Sequence, residues 1–213
     1  MKEVAVNKEA FLGNVLSSVK EAVIKKPANE STPVEASKES STSLREVRND
    51  VYDGAPKHEI QNDMKEELRD PEVQQALVRE LSPYSEEVNG HIRSLDELSV
   101  YENQNLTEAT VNDRQILQLP EGAIDPEQKD AMGRTNLERT ESGLSALDKD
   151  GNPVNLHHIG QKENSPLAEL PDRIHKQYDS VLHDKTIASE VHGPGNNWDQ
   201  ARADYWRARS DTL

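Results

Sequence analysis

Apolar residues recur at helical spacing in several stretches of this chain, and the segments between them have almost nothing to bury. Phe11, Leu12, Val15, Leu16, Val19, Ala22 and Val23 fall on one face of a helix spanning roughly residues 7–24. That face suits docking on a partner or packing against the chain itself. From Lys26 to about Ser43, Pro, Ser, Thr, Glu and Lys dominate, and the stretch reads as a linker. Helical signals return from Glu59 to Leu68. They resume after Pro71, a residue suited to a first helical turn, through Val73, Ala76, Leu77 and Leu81 until Pro83 ends the run. Tyr84, Val88, Ile92 and Leu95 predict a third helix across Gly90, and Val111 to Leu119 predicts a short strand or two.

The pattern changes near Gly133. Leu144 to Leu147 and Val154 to Ile159 flank Asp150-Gly151, a pair that tolerates the positive backbone angles of a tight hairpin. A polar loop holding Pro166 and Pro171 follows, then a helical stripe of Ile174, Tyr178, Val181 and Leu182. This order predicts a ββα unit. Gly193, Pro194 and Gly195 break the chain before a final helix from Trp198 to Arg209, whose Trp198, Tyr205 and Trp206 are expected in the core. The expected fold class is α+β, with a mainly helical, partly disordered N-terminal region ahead of the ββα domain. The expected divisions are an amphipathic helix over residues 1–25, a flexible linker over 26–57, a mainly helical accessory region over 58–130 and a C-terminal domain over 131–213.

Composition narrows the functional classes. Hydrophobic residues make up 33% of the 213 and aromatics 4%, too little to build a dense core along the whole length. The net charge is −15, and the acidic excess is mainly N-terminal, with 15 basic against 27 acidic residues up to Ala131 and 10 against 13 after it. A whole-protein nucleic-acid clamp is therefore disfavoured, because phosphate binding draws on Lys and Arg. A small site meeting DNA through a metal and a few arginines is not. The chain has no cysteine, which excludes disulfides and thiolate zinc sites and leaves His, Asp, Glu or Asn to hold any metal. No apolar run is long enough to span a membrane, and the N-terminus lacks the apolar core of a signal peptide, so export would need a signal-independent route.

Five of the seven histidines, His157, His158, His175, His183 and His192, fall in one short stretch. His157 and His158 end a predicted strand, where successive side chains point to opposite sides. If the strand end bends, one ring can bind a metal while the other meets the substrate as a base. Imidazole suits proton abstraction from water near neutral pH. On a straight helix, His175 and His183 would stand on the order of 12 Å apart, too far to share one ion. His175 is therefore expected in a loop or first turn, holding the base or contacting phosphate, with His183 as the ligand. These residues leave three readings open: catalysis, a structural or regulatory metal site, or histidines without a role. Arg134 and Arg139 are candidate phosphate contacts, although Glu138 and Glu141 offer them partners.

Leu156-His157-His158-Ile159-Gly160-Gln161, then Ser165 to Leu170, His175 and Leu182-His183, resembles the LHH group of the HNH and endonuclease VII superfamily. That group is known mostly as C-terminal toxin domains of bacterial polymorphic toxins. The upstream Gly133 to Arg139, Gly143-Leu144 and Leu147 to Gly151 look like the segment preceding the motif in such toxins. The resemblance reaches back to about Ser82 and is strongest from Gly133 to His183. At Ile174-His175-Lys176-Gln177 the chain departs from the Glu-His-Arg-Gly of many members.

The resemblance implies a ββα-metal nuclease with His157 and His183 as metal ligands, His158 as general base and His175 at the site of the loop residue before the helix. It implies one divalent ion, with zinc, magnesium, manganese and nickel all open. It also implies DNA as substrate, a cognate immunity protein, and secretion-machine or chaperone contacts through the N-terminal region. Such an effector is made in a bacterial cytoplasm, exported, and acts in the cytoplasm of a target cell. An adaptor or inactive toxin with a structural metal, and an RNase of the same fold, are the alternatives.

Overall fold

The structure is a computed structural model that describes Gly13, residues 68–191 and residues 197–213. The helix expected over residues 7–24 lies outside the described residues except for Gly13, which is helical. The linker, the helix expected from Glu59 apart from its last residue Leu68, His58, His192 and the Gly193-Pro194-Gly195 break also lie outside them. Among the described residues no helix is long and apolar enough to cross a membrane.

The chain divides into two compact units, residues 1–81 and 82–213. The first contains α1 (Pro71–Leu81), which starts where proline's missing N–H costs nothing. The Asp70 carboxylate accepts from the Glu72 N–H at 2.8 Å, and Val73, Leu77 and Val78 are buried.

The second unit opens with α2 (Glu86–Asn89) and α3 (Leu95–Asn103), whose N-terminal N–H groups are capped by the hydroxyls of Ser85 and Ser94. The single helix expected from Tyr84 to Leu98 is thus two, and Ser94 restarts the second. A hairpin follows, β1 (Thr107–Val111) and β2 (Arg114–Gln118). Its turn residues Asn112 and Asp113 have φ of 51° and 60°, the positive pair that suits the twist of a two-residue hairpin.

Next come α4 (Asn136–Glu141), closed by a capping box between Thr135 and Glu138, and β3 (Val154–His158). The strand expected ahead of β3 reduces to a single bridge, Leu147 to Pro153, around Gly151 at φ 79°. The true hairpin partner of β3 is β4 (Leu167–Pro171), placed where a polar loop was expected. Two prolines at its ends suggested a loop, and its four successive buried residues hide the alternation that marks a half-exposed strand.

The sheet order is β1-β2-β4-β3, with β2 and β4 parallel through Ile116–Leu167 and Leu117–Ala168. This pairing ties residues before 131 to residues after it, so the boundary expected there falls inside one compact unit. The chain ends in α5 (Asp172–Gln177), α6 (Asp179–Leu182) and α7 (Trp198–Ser210). The class is α+β, with β3, β4 and α5 forming the ββα element.

Glu169 on β4 pins α7 to the sheet. Fully buried, it accepts from the Leu119 N–H at 2.8 Å, the Tyr205 hydroxyl at 2.6 Å and Arg209 Nε at 3.0 Å. A buried carboxylate with three donors is stable only while they all remain, and removing it leaves a buried guanidinium uncompensated. Glu169→Ala should lower unfolding free energy by about 3–5 kcal/mol in urea titrations. A loss under about 1 kcal/mol would contradict this role.

Candidate active site

The site begins where β3 stops. His157 and His158 pair with Ala168 and Leu167 across the hairpin, and the chain then turns sharply through Ile159–Gln161. The turn needs glycine at position 160 for two reasons. Its φ is 77°, and a Cβ there would come within 2.9 Å of the His91 carbonyl oxygen. Although the two histidines alternate along the strand, both border one cleft of about 360 Å³, because the strand ends between them and the turn.

His175 and His183 border the same cleft. The straight helix expected between them does not exist. His175 lies inside α5, and the chain bends at Tyr178, with φ −105° and ψ 21°, before α6 delivers His183 just past its end. The bend brings the His175 and His183 rings to 5.0 Å between centroids, and His157 stands 5.4 Å and 5.0 Å from them. One ring nitrogen from each of His157, His175 and His183 lies within 4.8 Å of the others.

This set fits a divalent metal ion. Two nitrogens at roughly 2.1 Å from a common ion stand about 3–4 Å apart, so small rotations of the less buried His175 and His183 rings close the difference. Nε2 of His157 is buried with no hydrogen-bond partner among the described residues, a costly arrangement unless something electrophilic faces it. Burial, then the neighbouring His175 and His183, hold the His157 pKa well below the usual imidazole range, which keeps the ring in its ligating neutral form. Burial likewise lowers His175. His183 Nδ1 lies 3.0 Å from Asp179 Oδ1, leaving Nε2 as the ring atom available to a metal, and Lys185 steadies Asp179 at 2.7 Å.

Arg93 holds the far side. Its guanidinium donates to Gln161 Oε1 at 3.0 Å and to the carbonyls of Val181 at 3.2 Å and Leu182 at 2.8 Å. Glu97, fully buried, receives Arg93 Nε at 3.2 Å and the Tyr101 hydroxyl at 2.9 Å. Gln161 Oε1 also accepts from the Asp184 N–H. The residue before His183 and the turn after His158 are therefore tied to one side chain.

Both candidate phosphate contacts are engaged elsewhere. Arg134 and Arg139 converge on Asp130 at 2.8 Å and 2.6 Å, and Arg139 also donates to the Ser145 carbonyl. Asp130 is desolvated, which would raise its pKa, yet bonds from Arg134, Arg139 and the Met132 N–H hold it well below the usual carboxylate range. Buried Asn136 clamps the Leu147 N–H at 2.7 Å and the Leu147 carbonyl at 2.9 Å. The Gly133 to Arg139 segment thus braces the approach to β3.

A family model described as a nuclease of the HNH/ENDO VII superfamily with conserved LHH matches residues 135–212. Residues 135–212 carry an LHH-family domain. No solved structure matches the chain. The LHH motif is Leu156-His157-His158, and the match takes in all four cleft histidines. Arg93, Glu97 and the β1–β2 hairpin lie before it, although they belong to the same compact unit.

Sequence reasoning passed over Arg93, Gln161 and Asp179 as supports. Asp179 had a local signal, since it stands four residues before His183 with a helix between them. Arg93 had none. Asp179→Ala should weaken zinc binding about 10–100-fold by calorimetry while leaving the fold intact, and unchanged affinity would remove Asp179 from the support of the site.

Proposed function

We propose that this LHH domain is a metal-dependent DNA endonuclease in which His157, His175 and His183 hold one divalent ion and His158 is the general base. The observation that carries this reading is the buried, unpartnered Nε2 of His157 beside two further imidazoles, with the next residue bordering the same cleft. His175 moves from its expected place beside the base to the ligand set, because its ring stands with those of His157 and His183. A divalent ion there supplies positive charge to the scissile phosphate and the departing 3′ oxygen.

The protein's own part is to place the base. The His158 ring lies 4.2 Å from the Trp198 indole between centroids, a contact that restricts its rotation. Fixed at the cleft wall, the imidazole takes a proton from the water that attacks phosphorus. Arg134 and Arg139 serve the architecture through Asp130 and do not carry the substrate. Residues 1–81, a separate compact unit, suit delivery or partner binding. The LHH resemblance favours a bacterial effector that acts in a target-cell cytoplasm and is neutralised by a cognate immunity protein.

The full chain should nick supercoiled plasmid in the presence of magnesium, manganese, zinc or nickel and lose all activity in EDTA. His158→Ala should cut about 10²–10⁴-fold more slowly while binding metal as the wild type does. A matched RNA strand separates DNase from RNase. If the metal-loaded protein leaves both nucleic acids intact, the site is structural and the adaptor reading replaces this one.

A further inference from the structure

The part of α7 nearest the histidines is not needed for the core. Tyr205, Trp206 and Arg209 are the buried residues of this helix, and Glu169 anchors two of them. Trp198, expected in the core, is instead partly exposed on the cleft wall against His158. Arg202 lies four residues on, so the two side chains share one helix face, and it too borders the cleft. Its ion pair with Asp199 spans 3.2 Å, with the carboxylate 93% exposed, and such a pair competes weakly with a phosphate. Among the described residues lining the cleft, Arg202 is the single Lys or Arg. The other cationic candidates, Arg134 and Arg139, are held by Asp130 and do not line it.

From this placement we infer a nucleotide subsite at the cleft mouth. Trp198 stacks on an unpaired nucleobase next to the scissile phosphate, and Arg202 takes the flanking phosphate. The inference rests on the nuclease reading and adds a substrate class to it. An indole reads any base through its π-face, so cutting is tolerant of sequence. It reaches a base only outside a duplex stack, so single strands, gaps and frayed ends are preferred over intact duplex. A chain with a net charge of −15 has little general attraction for DNA, which makes these two contacts weigh heavily.

The test is binding of the full chain, in EDTA to prevent turnover, to a fluorescein-labelled single-stranded oligothymidylate, the same strand with an abasic site, and a blunt hairpin duplex. Trp206 is fully buried, so quenching of tryptophan emission by the unlabelled strand reports on Trp198. The single strand should quench and should bind more tightly than the hairpin or the abasic strand. Trp198→Ala should weaken anisotropy-measured binding about 10-fold or more, and Trp198→Phe should retain most of it. Arg202→Ala should flatten the slope of log affinity against log salt by nearly one, and Arg202→Lys should restore it.

Wild-type affinity in Trp198→Ala of unchanged melting temperature, absent quenching on binding, or no binding by the wild type overturns the subsite. Binding with these properties but no cleavage under any metal keeps the subsite and defeats the nuclease reading. Metal-dependent cleavage by a wild type that binds the single strand without quenching does the reverse.

Discussion

Arg93 reaches across the domain to two backbone segments that border the histidine cleft. On one side is the carbonyl end of α6, a helix of only four residues whose last C=O groups lack partners within the helix. The guanidinium accepts that role for Val181 and Leu182, next to His183, and its positive charge suits a helix C-terminus. On the other side is Gln161, which leaves the turn after His158 with φ 60°. Because Glu97 is fully buried beneath it, the arginine has little freedom to swing away. The planar fork satisfies several acceptors at fixed angles, which a lysine cannot do.

From that constraint follows the convergence of the histidines. His157 comes from a strand in the sheet, His175 from a helix packed next to it, and His183 from the chain beyond a bend. Each arrives on a different element, so the set forms only when the bend at Tyr178 and the turn at Gly160 are both held. The domain that carries the site therefore extends beyond the LHH match. The strand bearing His157 pairs with β4, β4 pairs with β2, and the clasp comes from α3 and the residue pair before it.

What could be read from the sequence was local. The helix after Pro71, the closing helix from Trp198 and the adjacent histidines at a strand end all follow from spacing within a short window. What could not be read was pairing at long range. β4 has no polar alternation because both its faces are buried, and prolines at its ends point towards a loop. The bend at Tyr178 has no glycine or proline to mark it, so a straight helix looked necessary and His175 was set apart from His183. Arg134 and Arg139 have Glu138 and Glu141 as neighbours in sequence, yet their partner is Asp130, which precedes the helix and is brought to them by the turn at Gly133. Arg93 looks like any surface arginine until the fold sets carbonyls from nearly ninety positions later against it.

In the proposed site three imidazoles, with His175 among them, meet on one ion. X-ray absorption spectroscopy of the zinc-loaded full chain, beside His175→Ala, counts the imidazoles directly. The account predicts three imidazole ligands at about 2.0–2.1 Å, falling to two in the variant. The same imidazole count in both proteins would contradict it and return His175 to a place outside the ligand set.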